Sequence, residues 1–506
     1  MATALDRQYR WAETSIIFPI LTTRRAIPQE NHVSKIIRIV GVLLVLVVVV
    51  AAAAPFWFGI QAEKRYHNLI QQMSKGGSGT FTTRNYERGW LSSNAETLVT
   101  LPGLPLDMLV KHDISHGPLA IDRIMRGDLD FTPAGALISS RATLTPRKGT
   151  PAGMVKDFAK YLPPITAETV FGLTGGSAET DIKVAPMKRK TKDGGEINWR
   201  GLTGTLVFGD DGHINTQLST PGISLSSKNG PFSVGKISFQ SDARGDGGIM
   251  FGNSSLYVAK MDIGPDVSVK GLRFTTRAKP AGKHITSTIN YQVKDITVGT
   301  DHYGPGQLTL QLRKLNTAAL RQFEQKVNGI SKRGLPEEQR QMMVAAETMK
   351  LIASLSKSAP VLEVTKLSFK AREGELTGKA KLVLDGSKLN VAENMMLLLR
   401  ALQGDAELSI PPSMVKAILT PRIRSDIENY KQRGILSQRE ANQLTPNVMS
   451  RIVDEVYPSY LNKNSFTKLL IPSGAYYTIT ASFRQGKFLV NNRPFGQPLL
   501  GFGRGT

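Results

Sequence analysis

The segment His112-Asp113-Ile114-Ser115-His116 sets two imidazoles four residues apart, a spacing that lets them share one face of a helix or a strand and hold a metal ion. A helical zinc site of this kind needs a glutamate beside the first histidine and a helix that continues. Here Gly117-Pro118 stops any helix. A strand fits better, with Lys111, Asp113 and Ser115 toward water and the histidines flanking Ile114 on the other face. A metal reading of His112 and His116 therefore competes with a reading as packed strand residues.

Three other patterns invite chemistry. Tyr86-Glu87-Arg88-Gly89-Trp90 sets an arginine, a glycine and two aromatics together, so that Tyr86, Arg88 and Trp90 could stack on or grip a lipid headgroup phosphate; the competing account is a strand start whose Trp90 fills the core beneath a glycine bulge. Lys188, Arg189, Lys190 and Lys192 form the one dense cationic cluster, a candidate polyanion contact or a solvated loop before Asp193-Gly194-Gly195. The acid pairs Asp210-Asp211 and Glu337-Glu338 suit a hairpin turn and the first turn of a helix. No serine sits in a nucleophile elbow, no glycine loop joins a strand to a helix to cradle phosphate, and the absence of cysteine removes thiolate chemistry and disulfides. The motifs call for no cofactor and leave an enzyme without catalytic residues.

The elements that would position these residues are mostly strands. From residue 80 to 312, short β-prone runs such as Leu98-Val99-Thr100, Thr205-Leu206-Val207-Phe208 and Lys236-Ile237-Ser238-Phe239 recur about every ten residues, which predicts antiparallel hairpins in one large meandering sheet. From 313 to 497 helices alternate with returning strands. Leu320, Phe323, Val327 and Ile330 fall on one helical face, and Pro336-Glu337-Glu338 opens a second helix. Ser387 caps a third helix that presents Val391, Met395, Leu398 and Leu402 and closes at Gly404. Pro412 to Tyr457 is helical with a capping box at Ser437-Gln438-Arg439-Glu440, a hairpin turns at Arg484-Gln485-Gly486, and residues 498–506 form a tail.

Ahead of this α+β region lies Ile39 to Ile60, an uncharged run that would span about 33 Å as a helix and match a bilayer core of ~30 Å. Its alanines imitate a signal-peptide cleavage site, but the apolar run continues through Phe56, Trp57 and Phe58, which favours an uncleaved transmembrane anchor. Residues 1–38 read as a disordered cytoplasmic leader, and 61–79 as a helical stalk with a glycine-rich joint. The chain carries 64 basic and 41 acidic residues, a net charge of +23. With the larger part outside the cytoplasm, that charge points to phospholipid, lipopolysaccharide or wall polymers as partners and away from nucleic acid.

The anchor, the Tyr86-to-Ala95 segment, His116-Gly117-Pro118-Leu119, Trp199-to-Gly204, Leu310-to-Leu320, Leu408-Ser409-Ile410-Pro411 and the closing Gly486-to-Asn491 together resemble the YdgA family of bacterial inner-membrane proteins, a group classed as a domain of unknown function. Asn316-Thr317 and Asn491-Asn492 depart from the family pattern. The resemblance implies an inner-membrane location and supplies no catalytic residue. The expectation is a single-pass protein whose periplasmic region is a non-enzymatic envelope binding or scaffold module. In its sharper form an apolar sheet face handles lipid acyl chains. The alternative is an envelope hydrolase with an unrecognised site.

Overall fold

The computed structural model describes residues 53–71, 74, 79–100, 106–147, 163–174, 176–190, 194–209, 211–226, 230–246, 249–331, 333, 335–389, 397–433, 445–463 and 466–495. The leader 1–38, the anchor as far as residue 52, Gly76 to Ser78, Lys192, Val391, Met395, the capping box 437–440 and the tail 498–506 lie outside the described residues. Among the described residues no helix is long and apolar enough to cross a membrane. The chain divides into two compact units, Met1–Ala53 and Ala54–Thr506, and the second holds nearly everything described.

The stalk is longer than its predicted start at Gln61. Residues 53–71 form one unbroken helix, α1, so the last residues of the uncharged run belong to it. Strands β1 (Thr80–Arg88), β2 (Ser92–Thr100) and β3 (Leu106–His116), helix α2 (Ile121–Met125), and strands β4 (Ala136–Pro146) and β5 (Ile165–Phe171) follow. Next come β6 (Ala178–Val184), β7 (Met187–Lys190), β8 (Glu196–Trp199), β9 (Leu202–Phe208), β10 (His213–Thr220), β11 (Ile223–Ser226), β12 (Phe232–Val234) and β13 (Ile237–Asp246). The longest strands are β14 (Ile249–Ile263), β15 (Val267–Ala281), β16 (His284–Val293) with β17 (Asp295–Val298), and β18 (Asp301–Asn316).

Two helices, α3 (Thr317–Ser331) and α4 (Glu337–Ser356), then lead to β19 (Val361–Ala371) and β20 (Gly374–Leu384). A short α5 (Leu397–Ala401) passes directly into β21 (Leu402–Ile410), and helices α6 (Pro412–Gln432) and α7 (Pro446–Lys463) precede β22 (Ile471–Ser473), β23 (Tyr476–Arg484), β24 (Lys487–Val490) and β25 (Arg493–Pro494). Gly404 therefore does not close a helix. It lies inside β21, paired with Leu382 and Phe483, because a residue without a side chain fits there under Leu382, where a Cβ would meet its Cδ1 at 2.8 Å.

Every pairing is antiparallel, and the long strands neighbour one another in chain order, so the sheet is a single up-and-down meander. Even where α3 and α4 intervene, β18 and β19 remain direct partners. Alternation gives the sheet two unlike faces. Leu218, Phe239, Leu256, Phe274, Tyr291 and Leu308 stand directly opposite one another on consecutive strands, an apolar lane perpendicular to the strand direction. One residue along, on the other face, the same strands present Gln217, Gln240, Ser255, Thr275, Asn290 and Thr309.

A second regularity crosses the sheet. In eight successive chain segments the apolar spacing changes from two to three at one level: Val184/Met187, Trp199/Leu202, Thr220/Ile223, Val234/Ile237, Val258/Met261, Val269/Leu272, Val293/Ile296 and Tyr303/Gly306. Because partners on both sides of the break remain matched, each strand carries one extra residue at the same place and the apolar face stays continuous across it. The result is a crease. Gly222 shows what it demands, with φ +127° and a hypothetical Cβ only 2.2 Å from the Val234 carbonyl oxygen.

Among the described residues the clustered hydrophobic packing lies at the two ends, while single buried residues such as Met187, Ile285, Ile330 and Val361 occur between them. At the N-terminal end α1 covers β1 to β5 through Ala62 and Tyr66, which meet Ala95, Ile114, Ala136 and Ile138. At the C-terminal end, Met414, Val415, Leu419, Ile423 and Ile427 of α6 join Val453 of α7 over Ala371, Leu376, Tyr477 and Ile479. Among the described residues, no hydrophobic cluster includes any position from 172 to 370.

Candidate functional site

The expected membrane-proximal contact and the histidine pair turn out to be one place. Along α1 the buried positions are Pro55, Gly59, Ala62 and Tyr66, a spacing of four, three and four that makes one stripe facing the sheet. Beneath the stripe lie His112, Ile114 and His116, on one face of β3 as alternation predicts, but Ser115, expected toward water, is 0% exposed and donates to Asp122 of α2. Gly59 is required by closeness: a Cβ there would sit 2.4 Å from the His116 ring. Tyr66 hydroxyl shares a hydrogen bond of 2.7 Å with Thr97 Oγ1, which is 3.0 Å from His112 Nε2, and His112 Nδ1 is 2.8 Å from Ser140 Oγ.

Both rings are engaged at both nitrogens, since His116 Nε2 lies 2.8 Å from Ser93 Oγ and its Nδ1 3.1 Å from the Trp90 carbonyl. Burial pushes the His112 imidazole down to about 4 and lowers His116 as well, opposed there by the Trp90 carbonyl. The neutral rings act as hydrogen-bonding struts under α1. Among the described residues no group of three or more His, Asp or Glu side chains is placed to hold a metal ion.

Tyr86, Arg88 and Trp90 also meet α1. Arg88 donates to Glu63 Oε2 at 2.6 Å and lies over the Phe56 ring, 5.6 Å from its centre. Trp90 packs against the same ring at 5.0 Å, and Tyr86 sits 5.2 Å from Tyr66. Trp90 is 57% exposed, so it does not fill the core as its bulge-and-strand setting suggested; its partner is an exposed phenylalanine on the neighbouring helix. Burial raises the Tyr86 hydroxyl above its ordinary range. These side chains fasten α1 to the sheet.

Three residues of the cationic cluster are not in a loop. Lys188, Arg189 and Lys190 lie in β7, paired with Asn198, Ile197 and Glu196, because their hairpin continues past the crease. They are exposed, and Lys188 reaches Glu196 at 3.2 Å.

The feature that the motifs did not reveal is the middle of the sheet. In the middle of the sheet residues of the apolar face are open: Leu256 is 37% exposed and Tyr291 42%, and Leu272, Ile263, Val298 and Leu362 are likewise exposed, whereas Ile285 and Val361, at the ends of β16 and β19, are buried. Nine neighbouring strands about 4.8 Å apart and roughly ten residues long present on the order of 1,000 Å² of such surface. That exceeds the roughly 300–600 Å² of the largest patch on an ordinary monomer. Concavities of about 660 and 610 Å³ also lie in this region, but their linings, with Gln217 and Gln240 in both, belong mainly to the polar face. The apolar face is a broad surface there, not a pocket.

Residues 33–497 match a family described as bacterial protein of unknown function (DUF945), and the chain belongs to that family. No curated protein and no solved structure matches it.

Proposed function

Membership of a family of unknown function lends no activity, so we propose a role from the site itself: a non-enzymatic binding module of the bacterial envelope whose uncovered apolar sheet face takes the acyl chains of lipids. The observation that carries this reading is the lane through Leu218, Phe239, Leu256, Phe274, Tyr291 and Leu308, continuous across six strands, with Leu256 and Tyr291 exposed and the other four half-buried. A lane of five hydrocarbon side chains and one tyrosine, Tyr291, suits flexible hydrocarbon better than a folded partner, which would need more matching hydrogen bonds. In this reading the part of the Ile39 to Ile60 run that precedes the packed stripe of Pro55 and Gly59 anchors the chain in the inner membrane, the sheet stands in the periplasm, and α1 joins the anchor to the N-terminal end of the sheet.

The test is extraction and mass spectrometry of lipid from the purified full chain, alongside Leu256→Gln with Leu308→Gln. Copurifying phospholipid or lipopolysaccharide that falls several-fold in the double variant is the expected result. A lipid-free chain whose sheet face pairs with a second copy, so that sedimentation shows a dimer lost in the same variant, would replace lipid by self-association.

A further inference from the structure

The crease has a second side. In each strand that carries the extra residue, one residue of the inserted step projects from the polar face, and on four adjacent strands that residue is lysine: Lys236, Lys260, Lys270 and Lys294. They are in line. Lys260 stands directly opposite Lys270, the Lys294 amide donates to the Lys270 carbonyl, and the crease amides of Gly235 and Ala259 donate to the Lys260 and Lys236 carbonyls. Arg200 extends the line two strands further, its amide donating to Gly222. All five side chains are exposed.

Their neutralisation is incomplete. Lys260 pairs with Asp262 at 3.0 Å and Lys270 with Asp295 at 3.7 Å, whereas among the described residues Lys236 and Lys294 have no acidic partner. Like charges directly opposed on neighbouring strands destabilise a sheet, so such a row is a cost that a bound anion would relieve. Beside one end opens the concavity of about 660 Å³, where Lys236, Gln217, Ser219 and Ser238 line the side toward the crease, while Glu168 and Asp181 line it together with Lys183. Amines flanked by hydroxyls and amides suit phosphate oxygens.

We propose that the polar side of the crease is a track for a linear, phosphate-bearing polyanion, held by Arg200, Lys236, Lys260, Lys270 and Lys294. With strands about 4.8 Å apart, Lys236 to Lys294 covers roughly 14 Å, so the ligand is a chain of several anions lying across the strands and not a single phosphate. The track is independent of the acyl reading because it occupies the opposite face of a single-layered sheet. It also differs from the cationic hairpin of Lys188 and Lys190, which lies beyond the crease.

Two fluorescently labelled probes distinguish the sources of this chemistry: inorganic polyphosphate, and lipopolysaccharide core oligosaccharide stripped of its acyl chains. Each is titrated into the full chain, into Lys236→Gln/Lys294→Gln, and into Lys188→Gln/Lys190→Gln as a control of equal charge. Removing the two lysines without acidic partners leaves both carboxylates paired, and an unchanged melting temperature checks the fold. The expected result is saturable binding of one or both probes, weakened by salt, about tenfold or more poorer in the crease variant and little changed in the control. Binding of the first probe alone assigns polyphosphate, and of the second alone a phosphorylated glycan. No saturable binding, equal losses in both variants, or tighter and base-dependent binding of single-stranded DNA would overturn the proposal.

Discussion

Truncating Leu256 to alanine separates an uncovered face from a packed one. Leu256 is 37% exposed in the middle of the lane, whereas Ile114 is 0% exposed beneath α1. Leu→Ala removes three carbons, about 2.4 kcal/mol of transfer free energy at ~0.8 kcal/mol per buried carbon; scaled to the part already out of water this is about 1.5 kcal/mol. Nothing overlies the side chain, so no cavity forms and no further cost arises. At Ile114 the same truncation leaves a void between β3 and α1 and costs about 2–5 kcal/mol. Urea unfolding of delipidated full-length protein, followed by circular dichroism, measures both. Leu256→Gln sharpens the contrast: on an open face its amide stays hydrated and the loss remains near that of alanine, while under a covering layer an unpaired amide would add about 1–3 kcal/mol. If Leu256→Ala were as costly as Ile114→Ala, and the glutamine variant costlier still, another layer would have to cover the face.

Three further outcomes follow from the junction and the crease. Gly59→Val, placing a branched side chain where even a Cβ would touch the His116 ring, costs about 1–3 kcal/mol and exposes the connection after α1 to limited proteolysis. Burial holds His112 near 4, below its unfolded value near 6.5, so the unfolded chain binds the extra proton between those values. Stability is then complete above about pH 6.5 and falls by up to ~3 kcal/mol as the pH drops toward 4, a slope that His112→Gln reduces in urea melts. Gly222→Ala meets both a positive φ and the Val234 carbonyl and costs several kcal/mol, while Gly282→Ala, at φ +63° with open space around it, costs ~1 kcal/mol in the same melts.

Some of this was readable along the chain. The placing of His112 and His116 with Ile114 on one face needed only the two-residue period, and the hairpin at Gln485-Gly486 follows from its turn residues, both at positive φ. Trp90 could not be assigned correctly because its partner, Phe56, lies 34 residues away within a run that reads as membrane anchor. The same run hides the first half of the Pro55, Gly59, Ala62 and Tyr66 stripe, since the positions between Pro55 and Gly59, and Ile60 after it, are also apolar. Gly404 reads as a helix stop, and only its partners on β20 and β23 show that it is a strand position. The crease was least accessible. Arg200-Gly201, Pro221-Gly222 and Gly235-Lys236 each resemble an ordinary turn, and their alignment becomes visible only after the strands are placed side by side.

The crease also bears on how a meander of so many similar hairpins finds one arrangement. Slipping any strand by one residue would turn its apolar set to the wrong face, and a slip of two, which alternation alone permits, would move its extra residue out of line with those of its neighbours. The aligned insertions therefore act as an alignment key, shared by the strands from β6 to β18. A protein built this way can lengthen or shorten by whole hairpins, each bringing its own copy of the key, while the strands on either side keep their partners.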